Sequence, residues 1–169
     1  MPGENLSRDE ARERAALLSV DGYEVSLDLR SAVGDQAGDG PRTFRSVTTI
    51  RFRCNEPGAT SFADLIAPRV TALSLNGRDL DPGEVFDGSR IALEDLAAEN
   101  ELIVDAECAY SRTGEGMHRF VDPEDGEVYL YAQSFLDDAE RIFACFDQPD
   151  LKATVTLACL LYTSDAADE

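Results

Sequence analysis

Residues 44–54 read FRSVTTIRFRC, and their side chains alternate between two chemical types. Phe44, Thr48, Ile50 and Phe52 fall on one face of an extended chain. The other face carries the polar side chains Arg45, Thr49, Arg51 and Arg53. A period of two residues is typical of a β-strand that buries one face and exposes the other. The stretch therefore predicts a half-buried strand.

The same alternation occurs on both sides of this stretch. Tyr23, Val25, Leu27 and Leu29 alternate with polar residues. Further short strands are predicted at 61–66, 70–75, 90–93, 101–110, 128–131 and from 151 onward. Asn76-Gly77 indicates a type I′ hairpin, because both central positions of that turn need a positive φ. No helical pattern separates successive strands, so the sequence predicts an antiparallel β-sandwich, not a parallel α/β sheet.

Two short helices accompany the strands. Ser7 and Glu10 have the spacing of a capping box, which predicts an N-terminal helix. The mixed charges of that helix, Arg14 among them, are expected to lie in solvent. A second helix is predicted near residues 137–143, because Asp137 and Asp138 suit the positive end of a helix dipole.

Composition limits the classes of function. A length of 169 residues is typical of one domain. The net charge of −19 disfavours nucleic acid and anionic membranes as partners. No apolar run is long enough to span a bilayer, and the N-terminus has no secretory pattern. Four scattered cysteines without a CxxC pair then favour reduced thiols in the cytoplasm.

Few residues suggest catalysis by themselves. His118 is the only histidine, so a thiol enzyme would need it beside Cys145 or Cys108. We expect instead a loop histidine that is hydrogen-bonded to backbone or solvent. The acidic clusters at 122–125 and 137–138 could bind Ca²⁺, although a solvated loop and a helix start explain them equally well. A non-enzymatic, Ca²⁺-dependent β-sandwich binding module is therefore the alternative function.

A resemblance to a known family extends this interpretation. The segments that carry it are FACFDQPDLKATVTL (143–157), HRFVDPEDGEVYLYAQ (118–133), TGEGMHRF (113–120) and NLSRDEARERAALLSVDGYEVSLDL (5–29). They resemble the N-terminal domain of actinobacterial zinc aminopeptidases of the aminopeptidase N family. The similarity spans roughly residues 3–157, and the motifs follow one another in the family's order.

The resemblance implies a saddle-like, mainly β domain that caps a separate catalytic domain. In the family that second domain holds zinc through an HExxH motif, which this sequence lacks. The resemblance thus implies a fragment of a cytoplasmic zinc aminopeptidase that acts on peptides. We expect the fragment to be inactive alone, to hold no catalytic residue and no zinc, and to need the missing catalytic domain as its partner.

The family's first domain also lends a T-Q-F-E loop to the substrate pocket. Gln133 matches the glutamine of that loop, so the resemblance implies that Gln133 faces the substrate. From the residues alone, the Gln133 amide could equally cap a loop. Ser134 and Phe135 occupy the phenylalanine and glutamate positions. The amine-binding carboxylate is therefore missing, and Phe135 is expected to be a wall of the pocket.

The end of the chain departs from the family. The resemblance assigns residues 1–157 to an incomplete N-terminal β-sandwich domain. Residues 158–169 read CLLYTSDAADE after Ala158 and do not resemble the family's continuation. We expect 158–169 to be a non-native tail that is disordered or poorly packed.

Overall fold

The computed structural model describes residues 6–33, 42–135 and 137–161. Its two α-helices are α1 (Arg8–Leu17) and α2 (Pro82–Val85), and its two 3-10 turns are Arg30–Ala32 and Ala139–Arg141. The strands are β1 (Leu18–Asp28), β2 (Thr43–Cys54), β3 (Ser61–Asp64), β4 (Arg69–Leu75), β5 (Arg78–Asp79), β6 (Arg90–Leu93), β7 (Glu99–Ala109), β8 (Gly116–Val121), β9 (Val128–Gln133) and β10 (Thr154–Leu160).

The main sheet has six strands in the order β10-β1-β2-β7-β4-β5, and β3-β6 and β8-β9 form two-stranded sheets. All pairs are antiparallel except β1 with β10, which run parallel. The predicted mainly β, sandwich-like class is confirmed. The parallel pair differs from the expectation of a purely antiparallel sheet, because the chain returns through residues 134–153 before it pairs with β1.

Strand β2 behaves as its alternation predicts. Phe44, Ile50 and Phe52 are each at most 2% exposed. On the opposite face Arg45 pairs with Asp105 of the neighbouring strand β7 at 2.6 Å. One core cluster joins the inner face of the main sheet to β3, β6 and residues 142–146. Because only one face of β2 is buried, apolar and polar residues alternate along its sequence.

The predicted hairpin and N-terminal helix are confirmed. Asn76 and Gly77 have φ of 54° and 76° in the turn between β4 and β5. Ser7 and Glu10 form both hydrogen bonds of a capping box at the start of α1. The helix passes directly into β1, and Asp21 lies in a bulge within that strand. The strand therefore begins five residues before Tyr23, where the alternation noted in the sequence starts.

The second helix is shorter than its prediction. Only the 3-10 turn Ala139–Arg141 forms between residues 137 and 143. The backbone of Glu140 bonds outward instead of along a helix: its N–H donates to Asp147 Oδ2 at 3.1 Å, and its carbonyl accepts from Ile66 N at 2.8 Å. Tertiary contacts therefore override the helix signal of the two aspartates.

Strand β10 continues past the boundary predicted from the family resemblance. Residues 158–160 pair with 26–28 of β1, although β10 is exposed along its whole length. The assignment of 158–169 to a non-native tail stays a prediction, and residues 162–169 lie outside the described part of the chain. Neither α1 nor α2 is long and apolar enough to cross a lipid bilayer.

Candidate functional site

The motif FACFDQP (143–149) is tied to the sandwich at several points. Asp64 and Cys145 exchange both backbone hydrogen bonds, at 2.7 and 3.0 Å. The Phe146 N–H donates to the buried hydroxyl of Tyr23 at 3.1 Å. The Phe146 ring meets Phe52 edge-on with centroids 5.2 Å apart. The motif is therefore a structural anchor that attaches this part of the chain to the sheet.

A buried arginine completes this anchor. Arg14 of α1 is 2% exposed. Its Nη1 donates to Asp64 Oδ2 at 2.8 Å, and its Nε donates to Gln148 Oε1 at 2.9 Å. Gln148 in turn donates from Nε2 to the Ala11 carbonyl at 2.8 Å, and Asp64 Oδ2 also accepts from Asp147 N at 2.9 Å. The helix, β3 and the motif are thus joined by one charged network.

The expectation that Arg14 lies in solvent was wrong. Arg14 follows Ala11 by three residues and precedes Leu18 by four, so it belongs to the apolar stripe of the helix. Its guanidinium also lies 4.6 Å from the ring centroid of Phe62. Helical spacing was therefore the signal in the sequence, while the location of its partner Asp64, 50 residues further on, was not readable.

The carboxyl groups of Asp64, Glu140 and Asp147 lie close together beside the 143–149 motif. Burial, with the negative charges of Asp64 and Asp147, raises the pKa of Glu140 to about 7. Burial also raises the pKa of Asp147, although the backbone N–H of Glu140 partly opposes that shift. A pKa in this range places the protonation of Glu140 near neutral pH.

The two residues predicted to touch substrate lie at the end of β9 and in the loop after it. Gln133 is the last residue of β9, pairs in register with Gly116, and is exposed. Phe135 is 72% exposed, and its carbonyl accepts from Asp137 N at 2.9 Å. The structure places both side chains at the surface of one loop, where a ligand can reach them.

A close contact joins β8 to the turn that follows that loop. Gly116 has a φ of 62°, and a Cβ at this position would lie 2.8 Å from Arg141 Cβ. Arg141 also contacts Asp138 at 3.2 Å and Glu115 at 3.6 Å. The strand opposite Gln133 is therefore packed on the turn that follows the loop, and only glycine fits there without strain.

A cleft of about 420 Å³ lies beside the loop. It is lined by Tyr23, Ser134, Ala139, Phe143, Cys145, Phe146, Asp147, Gln148, Pro149, Leu151, Ala153 and Val155. Ser134 joins the cleft to the loop, whereas Gln133 and Phe135 are not part of its lining. An apolar wall with a few polar groups is suited to binding.

The environments of Cys145 and Cys108 disfavour their reactive thiolate forms. Burial raises the pKa of the Cys145 thiol well above its ordinary value, and the charges of Asp147 and Asp64 add to the effect. Burial raises the pKa of Cys108 to about 12. Since the thiolate is the reactive form, neither environment favours a thiol enzyme.

His118 is bonded to backbone, as predicted. Its Nδ1 accepts from Gly114 N at 3.1 Å, and its ring packs on Tyr131 with centroids 4.6 Å apart. It lies on strand β8 and not in a loop.

The acidic residues at 122–125 serve local turns. Asp122 Oδ1 accepts from Glu124 N, and Asp125 Oδ1 accepts from Glu127 N, each at 2.8 Å. Within residues 6–33, 42–135 and 137–161, no group of three or more His, Cys, Asp or Glu side chains could hold a metal ion. The described residues therefore do not fit a zinc site.

Solved structures share this fold. The chain matches an M1 zinc metallopeptidase of Deinococcus radiodurans with a TM-score of 0.60 and 19% identity, over 85% of this chain and 32% of that one. A mutant of that enzyme bound to a Tyr-Ser-Ala substrate matches with a TM-score of 0.58 and 19% identity over the same shares. At such low identity these matches show the fold alone.

Sequence similarity carries the relationship further. No protein-family model matches the chain. The chain is, however, 57% identical over 155 residues to the aminopeptidase N of Streptomyces lividans. That match covers 91% of this chain and 17% of the relative. The predicted resemblance is therefore confirmed: this chain is a relative of aminopeptidase N and corresponds to its N-terminal region.

Proposed function

We propose that this chain functions as the N-terminal domain of a cytoplasmic zinc aminopeptidase that removes N-terminal amino acids from peptides. The observation that carries the proposal is the identity of 57% with aminopeptidase N along nearly the whole chain. The domain caps the active site, and the zinc and the catalytic groups belong to a catalytic domain that is its partner. We expect the chain to be inactive alone, because the family's HExxH motif is not in its sequence.

The loop at 133–135 is the substrate-facing part of the domain in this proposal. Two features support that role. Gln133 and Phe135 are exposed, and the segments beside them are packed on the fold through the Gly116–Arg141 contact and the Asp64–Cys145 hydrogen bonds. The Gln133 amide can donate to and accept from a peptide, and Phe135 supplies an apolar wall.

A chimera tests the domain role. Residues 6–157 replace the matching stretch of the Streptomyces lividans aminopeptidase N, and release of p-nitroaniline from alanine p-nitroanilide is measured. We expect zinc-dependent activity from the chimera and none from this chain alone with added zinc. An inactive but folded chimera, or zinc-dependent activity of the isolated chain, would contradict the proposal.

A further inference from the structure

The hairpin of β8 and β9 exposes aromatic rings on one of its two faces. His118 lies opposite Tyr131, and Phe120 lies opposite Tyr129 in the register. Residues directly opposite each other in an antiparallel pair share a face. Phe120, Tyr129 and Tyr131 are 47%, 50% and 49% exposed. We call these four residues the aromatic face.

The other face of the hairpin explains why the rings remain outside. Met117 is buried in the core, and Val128 and Leu130 pack against it. Arg119 belongs to this inner face, where its Nε donates to the Ala32 carbonyl at 2.6 Å. Met117, Val128 and Leu130 thus pack the hairpin onto the core without the outer rings, while Val121 on the same face is 44% exposed.

The turn beside the aromatic face is acidic. It carries the four carboxylates Asp122, Glu124, Asp125 and Glu127. The Tyr129 hydroxyl donates to Asp125 Oδ2 at 2.9 Å, so the turn and the aromatic face form one continuous surface. Exposed aromatic rings next to carboxylates offer a cation two kinds of interaction: cation–π contacts with the ring faces and charge-assisted hydrogen bonds with the carboxylates.

Charge selects among the occupants of such a surface. The chain carries a net charge of −19, which repels a second copy, nucleic acid and anionic lipid. A lysine- or arginine-bearing extended segment complements both the rings and the carboxylates. We propose that the aromatic face and its acidic turn dock a cationic, extended polypeptide segment. Gln133 continues this face two residues beyond Tyr131, so the inference adjoins the role proposed for Gln133. A test peptide with a blocked N-terminus, which lacks the free α-amine of an aminopeptidase substrate, distinguishes the two.

The test uses this chain and a short peptide in which lysine and threonine alternate, acetylated and amidated at its ends. Backbone amide NMR shifts locate the site, and a titration gives the affinity. We expect saturable shifts confined to residues 116–133. We also expect weaker binding when NaCl is raised from about 20 mM to about 200 mM. A peptide with glutamate in place of lysine should produce no saturable shifts.

Variants separate the two contributions. Tyr129→Ser with Tyr131→Ser should weaken binding about tenfold, and Glu124→Gln with Glu127→Gln about threefold. The exposed-apolar control Leu157→Ser on β10 should bind as the parent chain does. Glu124 and Glu127 lie in an exposed turn, so their double variant still measures the contribution of charge to binding even if loss of the tyrosines unfolds the hairpin.

Four results would overturn the inference. They are the absence of saturable shifts with the lysine peptide, equal binding of the glutamate peptide, shifts centred outside the hairpin, and unchanged affinity in folded variants of both pairs.

Discussion

Replacement of Asp64 by asparagine removes the negative charge from the anchor of the 143–149 motif. Asp64 accepts from Arg14 Nη1 at 2.8 Å and from Asp147 N at 2.9 Å. The Arg14 and Asp64 side chains are 1% and 7% exposed. Asparagine keeps the shape and an acceptor oxygen, so the change isolates the charge. It leaves a buried guanidinium without a counterion.

The expected loss is large because water cannot replace the lost carboxylate. Breaking a buried ion pair by removing one partner costs about 3–5 kcal/mol of unfolding free energy. With a urea dependence of about 2 kcal/mol per molar, the unfolding midpoint falls by about 1.5–2.5 M. Equilibrium unfolding followed by circular dichroism measures this shift. Arg14→Met with Asp64→Asn removes both charges and should regain at least about 1 kcal/mol relative to additive losses.

The matched control is Asp105→Asn. Asp105, like Asp64, accepts from an arginine. Its partner Arg45 donates to both of its carboxylate oxygens, but the Arg45 side chain is 63% exposed. An exposed pair contributes about 0–1 kcal/mol. Equal losses in Asp64→Asn and Asp105→Asn, or additive losses in the double variant, would refute the claim that the buried network anchors the motif.

Three further predictions concern the same region and the thiols. The folded pKa of Glu140, about 7, lies above its ordinary value of 4.5. The bound proton therefore stabilises the fold, and the free energy of unfolding falls as pH rises from about 4.5 to about 7. Glu140→Gln should make the melting temperature less dependent on pH over that range, and an unchanged slope would contradict the assignment. Gly116→Ala should lower the free energy of unfolding by about 2–3 kcal/mol. Gly126 also has a positive φ, but a Cβ there would meet nothing within 4 Å, so Gly126→Ala should lower it by about 1 kcal/mol. Equal melting temperatures of the two variants would show that the Arg141 contact is unimportant. Cys159 is exposed and the other three cysteines are buried, so Ellman's reagent should modify one thiol rapidly in the native chain and none rapidly in Cys159→Ser.

Strand type was readable where one face is buried, and one strand pairing was readable from its turn. β2 alternates because its arginine face meets solvent and β7 carboxylates, and the Asn76-Gly77 turn needs a backbone that few residue pairs adopt. The helix predicted at 137–143 failed because Asp147 and Ile66 take the backbone groups of Glu140. Such contacts depend on the assembled fold.

The candidate site divides in the same way. Gln133 and Phe135 came from motif similarity, and the structure adds their exposure and their frame. The prediction for Arg14 was wrong because a charged residue on the apolar stripe of a helix can lie in solvent or be buried against a carboxylate, and its partner Asp64 was not known from the sequence. The contact of Gly116 with Arg141 had no local signal, since it joins residues 25 positions apart that only the return of the chain brings together.

The kinetic effect of Gln133→Ala in the chimeric aminopeptidase tests the central claim most directly. If Gln133 faces the first residue of the substrate, the KM for alanine p-nitroanilide should rise about tenfold, because a lost hydrogen bond to substrate costs about 1.5 kcal/mol. Arg78→Ala, an exposed position on β5, should leave the kinetics unchanged. A KM and kcat for Gln133→Ala equal to those of the unmodified chimera would contradict the account.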